Sequence, residues 1–261
     1  MHSFSKLQSS HVLITGAGKG IGRAIALEMS QHASKLTLIG RNEKNLKEVQ
    51  SLVEKNCAVQ FLECDITIEK SVQTTFAKAA SSFGPIAVLV NNAGQARSAS
   101  FQKTTLADLR AMIDVNLNGA FLCTQAVIEE MLKLNYARII NIASTAAQKG
   151  YPYVSAYVAA KHGVLGLTRS LALEFAKSRI TFNAICPGFA DTDIVSESLK
   201  TITTKTNLSH EDALQELVKN NPQRRLIAPD EVAQQVLWLC HDLSQSINGQ
   251  ALSISGGEVM S

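Results

Sequence analysis

The chain has 261 residues, 46% of them hydrophobic, which suits a single α/β domain spanning 1–261 around one continuous core. Its 25 basic and 22 acidic residues leave a formal charge of +3 with no long Lys/Arg run, so nucleic acid is excluded as an expected partner. Five cysteines, at positions 57, 64, 123, 186 and 240, form no C-x-x-C pair; an odd, dispersed set excludes a disulfide or zinc framework and fits a reducing, cytoplasmic setting. Met1 to Ser10 is polar and lacks the apolar region of a signal peptide. No apolar stretch approaches the ~20 residues of a membrane span, so a soluble chain without a membrane partner is expected.

Short runs rich in Val and Ile alternate with longer segments of helical period, the pattern of βαβ units and a parallel sheet covered on both faces. Seven strands are predicted, at His11–Thr15, Leu36–Ile39, Val59–Leu62, Ile86–Val90, Arg138–Ile142, Ile180–Ala184 and Ala251–Ile254, with helices between them. Right-handed crossovers arrange such units as a doubly wound, Rossmann-type sheet whose ligand crevice lies at the carboxyl ends of the strands.

The first strand runs into Thr15-Gly16-Ala17-Gly18-Lys19-Gly20-Ile21-Gly22 and then a helical run from Arg23 to His32. Glycine lets the backbone turn sharply and approach a pyrophosphate, and the helix N-terminus offers free N–H groups and partial positive charge. Gly16, Gly20 and Gly22 carry that geometry. No Gly-Lys-Ser/Thr follows at P-loop spacing. The second strand ends at Gly40-Arg41, where an acidic residue would bond the ribose 2′-hydroxyl of NAD. With no carboxylate there, Arg41 is placed to meet a 2′-phosphate as a planar fork and Lys19 to add a second charge, so NADP(H) is favoured over NAD(H).

After the fifth strand come Asn141-Ile142-Ala143-Ser144 and, thirteen residues beyond Ser144, Tyr157-Val158-Ala159-Ala160-Lys161. Four-residue spacing puts Tyr157 and Lys161 on one helical face. An ammonium there is expected to depress the tyrosine pKa from about 10 and make it a working acid/base, while Ser144 bonds a substrate oxygen. Phe189 to Pro229 breaks the alternation with Thr/Lys/Ser clusters and one helix-like portion, His210 to Lys219, and reads as a lid over 189–229.

Together these motifs resemble the compact branch of the short-chain dehydrogenase/reductase family over almost the whole chain. Thr15 to Gly22 is similar to its T-G-x-x-x-G-x-G turn, Asn91-Asn92-Ala93-Gly94 to its N-N-A-G segment, and Pro187-Gly188 to its P-G motif. The resemblance implies a catalytic set of Asn116, Ser144, Tyr157 and Lys161, with Asn116 supporting a water-linked proton relay through Lys161. It also implies that Lys161 bonds the nicotinamide ribose, that Asp65 and Ile66 lie by the adenine, and that Asn91 lines the adenosine side. Asn92, Ala93, Gly94, Pro187 and Gly188 would then border the cofactor, with Thr192 on its carboxamide. Helix capping is an equally simple role for Asp65, and Tyr151 and Tyr153 are open to pocket lining or plain packing.

The expected activity is interconversion of a ketone and a secondary alcohol. Ala160 to Gly163, Pro222 to Arg225 and Ser255-Gly256-Gly257 look like 3-oxoacyl-thioester and polyketide ketoreductases. An acyl-carrier or coenzyme A thioester is therefore a candidate substrate, with Arg224 and Arg225 either bound to its anionic carrier or simply solvated. The resemblance implies a homotetramer joined through helices near residues 105–132 and 155–177. The alternatives are an NAD-dependent secondary-alcohol dehydrogenase and a dinucleotide-binding regulator without turnover. Enoyl-thioester reductases resemble the chain less, because their tyrosine and lysine sit farther apart.

Overall fold

Strand and helix alternate throughout the computed structural model, which describes residues 4–206 and 208–260. The strands are β1 (His11–Thr15), β2 (Lys35–Gly40), β3 (Ala58–Glu63), β4 (Ile86–Asn91), β5 (Ala137–Ile142), β6 (Ile180–Pro187) and β7 (Ala251–Ile254). They form one parallel seven-stranded sheet in the order β3-β2-β1-β4-β5-β6-β7. Strand order reverses between β1 and β4, which opens a crevice at their carboxyl ends. β6 runs beyond its expected end at Ala184 because Ala184–Pro187 pairs in register with all of β7.

Side chains alternate across the sheet as the pleat requires. Val12 and Ile14 face a core shared with α2 (Gly20–Ser30), α3 (Glu43–Val53) and α10 (Pro229–Leu239), the numbering counting α1 (Ser5–Gln8) as first. Leu13 faces the other layer, with α4 (Glu69–Phe83), α6 (Gly119–Met131) and α7 (Ser155–Glu174). Both faces are covered, so β1, β4, β5 and β6 are buried along their full lengths.

α5 (Leu106–Ile113) continues through a π-helical turn at Asp114–Asn118 into α6. The combined Leu106–Met131 helix, with a mean hydropathy of 1.2 over eighteen residues, is long and apolar enough by composition to cross a membrane, contrary to the sequence-based expectation. Part of its apolar surface serves the core: Cys123, Val127 and Met131 are buried against the sheet, whereas Leu106 and Phe121 are exposed. The 189–229 segment holds two helices instead of one, α8 (Asp193–Thr206) and α9 (His210–Val218). Val195 and Leu199 pack on Ala213, and the base of the segment is tied where Ile227 N donates to Phe189 O at 2.8 Å.

The opposite end of the sheet is held by two buried polar groups. Arg138 lies 4.3 Å over the Tyr136 ring and donates from Nε to Leu239 O at 3.1 Å, setting its charge at the negative end of α10. His11, 2% exposed, donates from Nδ1 to Gly84 O at 2.9 Å, and its Nε2 lies 2.7 Å from Thr37 Oγ1, from which the neutral ring accepts. Burial, with Lys35 nearby, holds its pKa down at about 4 against 6.5. The unfolded chain therefore binds this proton first, so stability is complete above pH 6.5 and is lost as pH falls from 6.5 toward 4, by about 3 kcal/mol. Urea unfolding of wild type at pH 7 and pH 4.5 should show this loss, and His11→Gln should remove that part of the pH slope. An unchanged slope in the variant would assign acid sensitivity elsewhere.

Candidate active site

From Thr15 the chain turns through Gly16 (φ +65°) and Gly20 (φ +52°) into α2. A Cβ on Gly22 would lie 2.2 Å from the Gly16 carbonyl oxygen, and one on Gly16 would lie 2.8 Å from Ala93 Cα. Thr15 Oγ1 accepts from Asn92 N and Ala93 N, each at 3.0 Å, while Asn92 Nδ2 donates to Thr15 O at 3.0 Å. The turn is thus clamped to the segment after β4, at the sheet's switch point. Lys19 precedes α2 and gives it no side-chain cap, which leaves the first N–H groups of the helix open to an anion.

Beside this turn runs a cleft of about 400 Å³. Gly16, Lys19, Gly20, Ile21 and Gly22 form its middle; Arg41, Asp65 and Ile66 lie toward one end, and Asn116, Tyr157 and Lys161 toward the other, with Asn92, Ala93, Gly94 and Thr192 also on its wall. Bare glycine backbone, an uncapped helix N-terminus and a basic group at the end of β2 fit a dinucleotide.

At the β2 end Arg41 is exposed and has no hydrogen-bond partner among the described residues. Asn42 caps α3 by accepting from Asn45 N at 3.0 Å, and both asparagines line the cleft, so they join Arg41 as candidates for a 2′-phosphate or ribose. Asp65 lines the cleft and does not cap α4, whose N-cap is Ile68; its carboxylate accepts instead from Thr67 N and Oγ1 in the turn before that helix, bonds that with the Arg41 charge lower its pKa. Lys19, expected at the phosphate, pairs instead with Asp193 Oδ2 at 3.1 Å, joining the glycine turn to the first residue of α8.

At the other end the π-helical turn brings Asn116 into the core at 3% exposure. Asn116 Nδ2 donates to Gln95 O at 2.9 Å and Met112 O at 3.0 Å. A Cβ on Gly94 would stand 2.7 Å from Asn116 Oδ1 and 3.6 Å from Lys161 Nζ, so the amide and the ammonium converge on one point. Lys161 Nζ donates to Ile142 O at 2.8 Å, and burial lowers its pKa to about 8. Its distance to the Tyr157 ring centroid is 5.7 Å.

Burial raises the Tyr157 pKa above its ordinary value, and a hydrogen bond with Ser144 draws it partly back. This corrects the expectation that Lys161 depresses it. The ammonium is spent on a backbone carbonyl, while desolvation acts on the whole phenol.

Three further placements differ from expectation. Asn91 points away from the cleft, its Nδ2 donating to Asn141 Oδ1 at 2.9 Å and Thr124 Oγ1 at 3.1 Å between β5 and α6. Pro187 is buried at the end of β6 and Gly188 packs on Ser255, so neither lines the cleft. Arg225 is a structural group: it forks onto Glu231 at 2.6 and 2.7 Å, lowering that carboxyl to about pKa 2 at the start of α10. Gln95, Val115 and Asp193 also reach the cleft without having been singled out, since no spacing rule ties them to it. His162 bonds its own helix at Val158 O, as a structural residue would.

Residues 16–258 match the family model described as enoyl-(acyl carrier protein) reductase. The chain is 33% identical to the 3-oxoacyl-[acyl-carrier-protein] reductase FabG of Aquifex aeolicus, covering 97% of this chain and 98% of that protein. It is 32% identical to a 3beta-hydroxysteroid dehydrogenase of Mediterraneibacter gnavus, covering 94% and 93%. Among solved structures it is similar to a variant actinorhodin polyketide ketoreductase crystallised with NADPH, with TM-score 0.91, 32% identity and coverage of 96% and 98%. Levodione reductase gives TM-score 0.90 at 30% identity, covering 97% and 98%. The chain belongs to the short-chain dehydrogenase/reductase family of NAD(P)-dependent oxidoreductases.

Proposed function

We propose that this chain is an NADP(H)-dependent reductase of ketones to secondary alcohols, with a 3-oxoacyl thioester as the first substrate class to test. The observation that carries the reading is the placement of Tyr157, Lys161 and Asn116 at one end of a glycine-floored cleft, with Ser144 hydrogen-bonded to Tyr157 just behind the lining, and of Arg41 with no carboxylate after β2 at the other end. The nicotinamide, when bound, supplies or accepts the hydride.

The residues supply the rest. Ser144 donates to the carbonyl oxygen and stabilises the charge that grows there. Tyr157, held as a neutral phenol by burial, gives that oxygen its proton in reduction and takes it back in oxidation. Lys161 would hold the cofactor's ribose, and with Asn116 supporting a water-linked relay it would return protons to Tyr157. Relatives named for acyl-carrier, polyketide and steroid carbonyl chemistry support a ketone, and the neighbour crystallised with NADPH supports the phosphorylated cofactor. The 189–229 segment acts as the substrate lid. We also assign the exposed Phe121, Leu132 and Leu173, on or beside α6 and α7, to contacts between copies in a homotetramer.

The test follows nicotinamide absorbance with NADPH or NADH over a carbonyl panel spanning acetoacetyl-CoA, cyclic ketones, diketones and steroids. NADPH consumption supports the reading; tight NADPH binding without turnover supports a regulator. Arg41→Glu should raise the KM for NADPH about 30- to 100-fold, the effect of about 2–3 kcal/mol, and leave NADH within about threefold. Equal weakening of both cofactors would remove Arg41 from the phosphate site.

A further inference from the structure

A second polar group lies beyond the cleft, on the far side of Ser144. The Glu258 side chain is 2% exposed although it stands close to the C-terminus. Its Oε1 lies 2.7 Å from the Tyr151 hydroxyl and 3.0 Å from Lys149 Nζ. A carboxylate oxygen only accepts, so Tyr151 donates its proton to Glu258 and receives one from Thr145 Oγ1, 2.7 Å away. Thr145 is 3% exposed and directly follows Ser144. Its carbonyl accepts from Gln148 N and Lys149 N, closing the turn that Ser144 begins.

The Tyr151 ring meets Phe189 edge-on, with centroids 6.2 Å apart, at the root of the 189–229 segment. Burial raises the Tyr151 pKa, and its hydrogen bond to the Glu258 carboxylate adds to that rise. Behind Glu258 the chain is seated firmly: a Cβ on Gly256 would lie 2.2 Å from Asn221 Oδ1. The segment packed on Asn221 thus presents one buried carboxylate to the turn that carries Ser144.

The geometry points to Glu258 as a positioning residue that acts through Tyr151 and Thr145 to fix the Ser144 hydroxyl against the substrate oxygen. Thr145, Tyr151 and Glu258 do not line the cleft, so NADPH affinity is expected to be insensitive to them. This inference rests on the ketone-reductase reading above.

A kinetic cycle tests it. Tyr151→Phe keeps the ring and removes the hydroxyl; kcat for ketone should fall about tenfold, the scale of a small misplacement of a reacting group, while the KM for NADPH holds. Glu258→Leu should match it, and Glu258→Gln, which retains an acceptor, should stay within about threefold of wild type. In a Ser144→Ala background Tyr151→Phe should cost less than about twofold, because the hydroxyl it positions is gone. An equal loss in both backgrounds, or a loss that follows NADPH affinity and melting temperature, overturns the positioning role while leaving the reductase reading intact. A wild-type protein that reduces no ketone overturns both.

Discussion

Tyr157→Phe is expected to lower ketone reduction by about a thousandfold while NADPH affinity stays within about twofold, as read by initial rates and by fluorescence titration. The magnitude is that of a general acid removed from a site where water is scarce. Phenylalanine keeps the half-buried ring, so the fold and the cleft survive and the deficit falls on the chemical step. The sign of the pH dependence follows from the raised pKa. Reduction needs the protonated phenol and should be flat through neutral pH, whereas alcohol oxidation needs the phenolate and should climb as pH rises. A variant that retains more than about a tenth of the wild-type rate would move the proton donor to another residue.

Gly22→Ala is expected to be the second most damaging single change. Its Cβ would sit 2.2 Å from the Gly16 carbonyl oxygen and 2.5 Å from Asn92 Nδ2, and neither a backbone oxygen nor the clamp to β4 can yield cheaply. Overpacking of this kind costs about 2 kcal/mol or more, so NADPH affinity should drop at least about 30-fold and the melting temperature should fall. Gly166, inside α7, whose added Cβ would meet nothing within 4 Å, is the control: Gly166→Ala should leave NADPH affinity unchanged and should hold or raise the melting temperature, because alanine favours helix over glycine. Unchanged NADPH binding by Gly22→Ala would mean that the glycine turn is not the pyrophosphate cradle.

The sheet and the glycine turn were legible because their signals are local. Five successive residues of β1 are buried, and the turn follows at once. Tyr157 and Lys161 were legible as a pair because helical spacing fixes their shared face. Their proton affinities were not, since burial and a bond to the Ile142 carbonyl decide them. The π-helical turn at Asp114–Asn118 leaves no mark in hydrophobic period, and α8 is masked by Thr residues of weak helix propensity. Glu258 could not be paired with Tyr151 at all, because the bond joins positions 107 residues apart.

Parallel strands give the molecule two poles. Every group assigned to chemistry gathers where strands finish, whereas His11 and Arg138 brace the ends where strands begin. A five-residue strand separates the two by roughly 15 Å, beyond the range over which substitutions usually influence one another. Thermal robustness and substrate preference can therefore be altered at opposite poles of the same protein, and the gains from the two should add.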